Sequence, residues 1–514
     1  MNGGWRGELR DRIVRIPQHS REQAHTHFVG KTKMTISQVD FGRVDAERDT
    51  NLVDYFVDTG VFDKIRNGKK QYVIGRKGSG KTAIFRVASK ERLGVPVIPL
   101  DFAEYSWPGH KAIKEDGVPQ ESAYIGSWRF TFLIATLRHW SNTAGPELAK
   151  ESRDLLKKIY REEEPGFLES LIDKFRRVRK IEGPSLEGVG GLGGFELEDK
   201  AGPVLAQTIS QWSRVLMDFV AKHFPLNPFT MVLDRLDDGW DASDDSKMLL
   251  AGAIKASRDF NAKLQLKQRP APVIVFLRSD IYDELQFNDK NKIFTDIEFL
   301  NWTDDKLEDV VVARICRSLT CARDEAWSKV FSKAEMRQRA SIKSYIMKRT
   351  MGRPRDIIAF CINCQEVATA AGHSIVETDD VYAAEEAYSK HIYDELDDEM
   401  HKQIEGARSL LQILRDIGFN RFVLSDWLNA GRKREQGASD DKLKSQLQVL
   451  FDYSIVGVQR RGGISRGTSF QFRYNDRLLE PNFTGEMIVH PSMKKHLKLK
   501  EPRRDSIPEG EADD

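Results

Sequence analysis

The chain has 514 residues, 31% of them charged and 40% hydrophobic, which excludes a disordered chain and is too long for one ordinary core, so two to four domains are expected. Its 80 basic and 78 acidic residues leave a formal net charge of +2, so any nucleic-acid contact must come from a local patch rather than a global field. No apolar run approaches the roughly eighteen residues of a membrane helix, the N-terminus lacks a secretory apolar centre, and four cysteines make no disulfide framework, so a cytoplasmic protein without membrane contact is expected.

Residues 1–33 are polar and basic and read as a flexible arm. The first segment with chemistry is GRKGSGKT, Gly75 to Thr82, which fits G-x-x-x-x-G-K-[ST] at every fixed position. A β-rich run, QYVIG, precedes it and a helically spaced run, TAIFRVASK, follows, which is the strand–loop–helix context the motif needs. Glycines there let backbone N–H groups surround phosphates at the positive end of a helix. Gly75, Lys77, Gly78, Ser79, Gly80 and Ala83 are the expected phosphate contacts, Lys81 the reach to the β- and γ-phosphates, and Thr82 a Mg²⁺ ligand.

More than a hundred residues then separate VIPLDF from the next strand, so a helical and glycine-rich insertion is expected near 105–225. SWRFTFLIATLRHW has helical apolar spacing, whereas GPSLEGVGGLGGFELED reads either as a connector or as a mobile ligand-sensing hairpin. The buried run Phe229–Leu233 ends at Asp234, placed to hold Mg²⁺ opposite Thr82, and Asp237 and Asp238 follow as candidates to position a water. A third strand from Ala271 ends at Arg278 and Ser279, where a polar side chain can sense the γ-phosphate. Asn291-Lys292 lacks the following aspartate that reads guanine, so ATP is the expected nucleotide. Cys316, Cys321, Cys361 and Cys364 fall in helical patterns and read as core residues rather than zinc ligands.

Together these segments resemble AAA+-related ATPases of the origin-recognition, STAND and KAP branches, and more narrowly bacterial stand-alone P-loop ATPases with a D-R-L-D-D-x-W box, here Asp234 to Trp240. The resemblance runs from about Phe41 to Leu499 and implies that Phe41, Gly42 and Glu47 pack on the adenine. It implies that a helical lid starts in NWTDDKLEDVVVARI, and that Arg355 in MGRPRDIIAF is a second sensor, with Arg353 its substitute. Many hydrolytic relatives carry a glutamate where this chain has Arg235, which bears on hydrolysis rather than binding. Arg235, Arg258 and Arg278 are candidates for an arginine finger, which would require a homo-oligomer.

Near the C-terminus, three helical segments precede a two-stranded hairpin, IVGVQR and SFQFRY, an order that resembles a winged helix. Leu443, Leu447 and Leu450 form one stripe and leave Lys442 and Lys444 outside, while Arg460, Arg461 and Arg466 decorate the wing. These five are candidate double-stranded DNA contacts, although Asp440, Asp441 and Asp452 flank the helix and a protein-docking role competes. The expected fold is α/β: a P-loop NTPase parallel sheet at 34–302, an α-helical lid at 303–400, a winged helix at 401–500 and a disordered tail at 501–514. Two functions follow. One is an ATP- and Mg²⁺-dependent hydrolysing switch for a separate effector, as defence-linked relatives imply for anti-phage systems; the other is a DNA-binding ATPase or nucleotide-locked scaffold.

Overall fold

The structure is a computed structural model that describes residues 36–90, 93–102, 119–160, 205–401, 404, 406–460 and 469–502. The N-terminal arm, the glycine-rich segment 183–199, the wing turn with Arg461 and Arg466, and the last twelve residues lie outside them.

Five parallel strands form the central sheet: β1 Tyr72–Gly75, β2 Val97–Asp101, β3 Thr230–Asp234, β4 Val273–Arg278 and β5 Ile297–Phe299, in the order β2-β3-β4-β1-β5. β1, β3 and β4 are buried along their whole length, as a parallel sheet covered on both faces requires. Their side chains alternate between two cores. Tyr72, Ile74, Met231, Leu233, Val275 and Leu277 face helices α3 Gln120–Thr143 and α6 Asp244–Leu264. Val73, Val232, Ile274 and Phe276 face α1 Val61–Arg66 and α2 Lys81–Ala88. The registers Gly75↔Arg278 and Asp101↔Asp234 bring the carboxyl ends of β1, β3 and β4 to one edge of the sheet. The chain leaves β1 for a distant strand there, which opens a crevice at that edge.

The expected insertion is a helical layer. Besides α3 it holds α4 Pro146–Tyr160 and α5 Leu205–His223, both packed on α3. Trp128 is buried between α3 and α6, and its indole donates to Leu249 O at 2.9 Å.

α7 Ser279–Glu284 links β4 to β5, and after the sheet come α8 Asp304–Leu319, α9 Ala326–Val330, α10 Ile342–Met347, α11 Pro354–Ala370 and α12 Thr378–His401. Thr303 caps α8 by accepting from Lys306 N–H, and Pro354 occupies the first turn of α11, where a missing N–H costs nothing. Then follow α13 Ala407–Ile417, α14 Leu424–Arg434 and α15 Asp440–Asp452, with an antiparallel sheet in the order β6-β9-β7-β8. β7 Val456–Arg460 and β8 Ser469–Gln471 are the expected hairpin. β6 Arg421–Phe422 and β9 Met487–Val489 were not anticipated, since two and three residues are too few to show an alternation. Leu443, Leu447 and Leu450 are fully buried, as the stripe predicts.

Helices α8–α12 and this C-terminal module share one continuous core, which also takes in Ile36, Val39 and Phe41. His490 is buried in the module, with its Nδ1 against Ser492 Oγ at 2.8 Å and Phe472 and Tyr474 around the ring. Burial pushes its pKa from 6.5 down to about 3. The folded ring therefore stays neutral while the unfolded one takes up a proton, so its contribution is complete above pH 6.5 and is lost as pH falls toward 3. Thermal unfolding of the wild type should lose up to about 1.4 kcal/mol for each pH unit below 6.5 from this group. His490→Gln should be less stable at pH 7.5 yet have a flatter acid limb, and a limb of unchanged slope would contradict the assignment.

Candidate functional site

The segment between β1 and α2 is a loop with two left-handed glycines, Gly78 at φ +76° and Gly80 at φ +92°, the latter capping α2. A loop that curls its amides around an anion must turn its carbonyls outward, where they still need donors. Each carbonyl from residue 75 to 79 has one. Lys81 Nζ donates to Gly75 O at 3.0 Å and to Arg76 O at 3.2 Å. Arg353 Nη1 donates to Lys77 O at 3.3 Å, Arg355 N–H to Gly78 O at 3.4 Å, and Trp302 Nε1 to Ser79 O at 2.9 Å. A side chain at Gly75 would meet Ser79 Oγ and lie 3.1 Å from Leu300, so a larger residue there would force both to shift.

Asp234, at the end of β3, is 2% exposed and lies beside the Thr82 hydroxyl. Its Oδ2 has no hydrogen-bond partner, and burial raises its carboxyl from 3.8 to about 7, opposed by the neighbouring Lys81 ammonium. Burial in turn lowers Lys81, opposed by Asp237 and Asp234. A buried carboxylate oxygen without a donor, beside a hydroxyl, is the hard-oxygen environment a Mg²⁺ ion suits, so these two residues fit the expected metal.

The acidic box divides by side. Leu236 and Trp240 are buried anchors, while Asp237 and Asp238 stand on the open side. Arg278, at the end of β4, is held by Asp280 through Nε at 3.1 Å and Nη2 at 2.5 Å, and its Nη1 lies 3.7 Å from Asp237. Arg235 has left-handed backbone at φ 62° and pairs with Asp238 at 3.1 Å and Asp101 at 3.6 Å.

Most of these groups line one cavity of about 250 Å³. Its floor is Lys77, Gly78, Gly80, Lys81, Thr82 and Ala83, and its acidic side is Asp234, Asp237 and Asp238 with Arg235 and Arg278. Arg355, Arg314 and Ile358 come from α8 and α11. The remaining wall is Arg43, Val44, Ala46, Glu47, Asp49 and Leu52. Arg86 of α2 staples this wall by donating to Ala46 O, and to Asp49 O at 2.8 Å.

Several expected contacts are placed elsewhere. Phe41 is buried in the core of α8–α12, with its carbonyl accepting from Arg314 Nε at 2.9 Å. Gly42 sits left-handed against the Tyr55 hydroxyl, so the cavity takes Val44, Ala46 and Leu52 instead. Those apolar residues in an otherwise polar stretch were the signal that composition alone offered. Ser279 opens α7 and lines a second cavity behind the loop, because the helix turns it away from β4's edge. Gly75 and Ser79 lie behind the loop's inner surface, and Arg258 of α6 lies near Asp259 and Asp289, away from the cavity.

The two lid arginines differ. Arg353 is 1% exposed and bound to Asp356 at 2.9 Å and Glu399 at 3.0 Å, whereas Arg355 faces the cavity and pairs with Glu395 at 3.1 Å. In the C-terminal module Lys442 pairs with Glu435 at 2.9 Å and Lys444 lies 3.9 Å from Asp441, while Arg460 is exposed at the end of β7. Cys361 and Cys364 are buried, Cys316 and Cys321 have Sγ atoms 3.8 Å apart, and no cluster of metal-ligating side chains occurs among the described residues. No helix among them is long and apolar enough to cross a membrane.

Residues 305–397, which cover α8–α12 almost end to end, match a family model described as the FunZ-associated C-terminal helical domain. No curated protein matches the chain. Among solved structures, similar chains include Cdc6p from Pyrobaculum aerophilum, with 14% identity, 85% of this chain and 89% of that one covered, and a TM-score of 0.31. The RuvB Holliday junction branch migration motor of Thermotoga maritima has 13% identity over 87% and 97%, with a TM-score of 0.33. A Walker-type ATPase of Pyrococcus abyssi has 12% identity over 80% and 90%, with a TM-score of 0.38. At such scores the assignment to the P-loop NTPase fold rests on the strand order and the loop themselves.

Arg353→Ala should cost about 3–5 kcal/mol, because it strands two buried carboxylates. Arg355→Ala, whose pair is more open, should cost about 1 kcal/mol and act on ligand affinity instead. Chemical denaturation of the two variants side by side checks this, and equal losses would refute the division of roles.

Proposed function

We propose that this chain is an ATP-binding, ATP-hydrolysing switch whose nucleotide state controls a separate effector protein. The observation that carries the reading is the meeting of Lys81, Thr82 and an unpartnered Asp234 oxygen in one cavity under a closed phosphate loop. Lys81, which gives two of its ammonium N–H groups to Gly75 O and Arg76 O, would turn the third to the β- and γ-phosphate oxygens. Thr82 and Asp234 would hold Mg²⁺, which when bound neutralises charge on the phosphates. Asp237, set by Arg278, would orient the attacking water, and Arg355 would report the γ-phosphate to the lid. Val44, Ala46, Leu52 and Ile358 form an apolar slot suited to a purine face.

Arg235 does not contribute a base, and its pairing with Asp238 and Asp101 leaves Asp237 as the carboxylate for water. Lid and C-terminal module share one core, so a lid that closes on nucleotide carries the module with it. A protein partner suits that module better than duplex DNA. Its two helix lysines are matched by acidic neighbours, which offsets the charge a phosphate contact requires.

ATP binding by calorimetry and phosphate release, measured for wild type, Lys81→Ala and Asp237→Ala, test the proposal. Lys81→Ala should weaken binding by at least about tenfold, the effect of losing one charge-assisted contact. Asp237→Ala should bind normally and slow turnover by about 10²-fold or more. A wild type that binds tightly without turning over would make the chain a nucleotide-locked scaffold, and one that binds no ATP would sink the whole reading.

A further inference from the structure

Arg76 follows Gly75 in the phosphate loop at a position the motif leaves open, and its side chain runs away from the cavity. Nη1 donates to Met351 O at 2.8 Å, and the guanidinium lies over the Tyr474 ring, 5.4 Å from its centroid. Its nearest acids, Asp356 and Glu399, are both engaged by Arg353. A carbonyl and an aromatic face therefore compensate this cation, a task for which guanidinium is suited.

Tyr474 belongs to the C-terminal module, and it is fixed on several sides. Its N–H donates to Ser454 Oγ at 3.1 Å, directly after the turn that ends α15. Its ring stacks on Phe472, with centroids 5.6 Å apart and planes at 10°, and its edge meets His490. It also packs on Gly352, where an added Cβ would come within 3.2 Å of the ring. Gly352 lies between Met351, which accepts from Arg76, and Arg353, which donates to Lys77 O. One lid segment of three residues and one tyrosine thus hold the first half of the loop. The lid is not the sole route from loop to module, because Arg76 touches the module directly.

We propose that Tyr474 is a positioning residue for the nucleotide: by covering Arg76 it sets the phosphate loop, so that the seating of the C-terminal module and nucleotide affinity are linked. This rests on the reading that the cavity takes ATP. The link is reciprocal by thermodynamic necessity: whatever the seated module adds to ATP affinity, ATP returns to the seating of the module. Ser454, at the end of α15, then receives the effect of the nucleotide without movement of Arg355.

The experiment uses the full chain with ATP and Mg²⁺. Tyr474→Ala should weaken ATP binding by about 3- to 30-fold, the range of a cation–π contact between exposed and desolvated settings. Tyr474→Phe keeps the ring and should bind within about twofold of wild type by the same reasoning. In the wild type, ATP should slow amide hydrogen exchange at residues 472–475 and 454–456, a readout that needs no variant and stands even if Tyr474→Ala fails to fold. A wild type that binds no ATP overturns both this inference and the nucleotide reading. ATP that binds but leaves those amides unchanged, or a folded Tyr474→Ala with wild-type affinity, overturns only the coupling.

Discussion

A peptide unit cannot point both its groups at an anion. When the loop between β1 and α2 offers its amides to the cavity, five carbonyls face the other way, and the fold must supply each of them with a donor. Lys81 serves two from the start of α2, while Arg353, the Arg355 backbone and Trp302 serve three from farther along the chain. The cradle is therefore not finished by the motif that announces it. It is completed by residues more than two hundred positions downstream, and that requirement fixes where the lid must sit.

The same logic of surplus and partner shapes the acidic edge. Asp234 is left one acceptor oxygen without a proton donor, a position that suits a cation and little else. Beside it, Arg235 occupies left-handed backbone and is drawn to Asp101 and Asp238, so the residue that interrupts the expected acidic pair is turned to the rim. Asp237 remains facing Lys81 and Arg278.

Much of this was readable beforehand because short, strongly constrained patterns carried it. GRKGSGKT requires its glycines for backbone reasons, and Asp234 ends a run of buried β-formers, so both could be placed from local rules. The three C-terminal helices and the leucine stripe of α15 obey a simple period. What escaped was set by distance. Phe41 and Gly42 were expected against the base, but which face of the segment 41–52 turns inward depends on Arg86 and Arg314, residues far away in sequence. Ser279 was expected at the phosphate end, yet a helix starting at that residue carries it behind the loop. β6 and β9 were too short to leave a pattern, and Arg353 and Arg355, two positions apart, were separable only once Asp356 and Glu399 could be seen to consume one of them.

Ile36, Val39 and Phe41 belong to the core that the lid and C-terminal module build, and Gln365 of α11 donates to Ile36 O at 2.9 Å and Val39 O at 2.6 Å. On a ribosome the chain emerges N-terminus first, so this early segment waits through some three hundred residues for the helices that receive it. The segment that carries Val44 and Ala46 is stapled to α2 by Arg86, but Phe41 at its start takes its donor from Arg314, so its seating is completed by that same late event. A nascent chain can assemble its phosphate loop and still lack both the loop's outer donors and the side of the cavity that Arg314, Arg355 and Ile358 supply. Competence to hold a ligand then arrives late in synthesis and all together, an order dictated by contacts of long sequence separation.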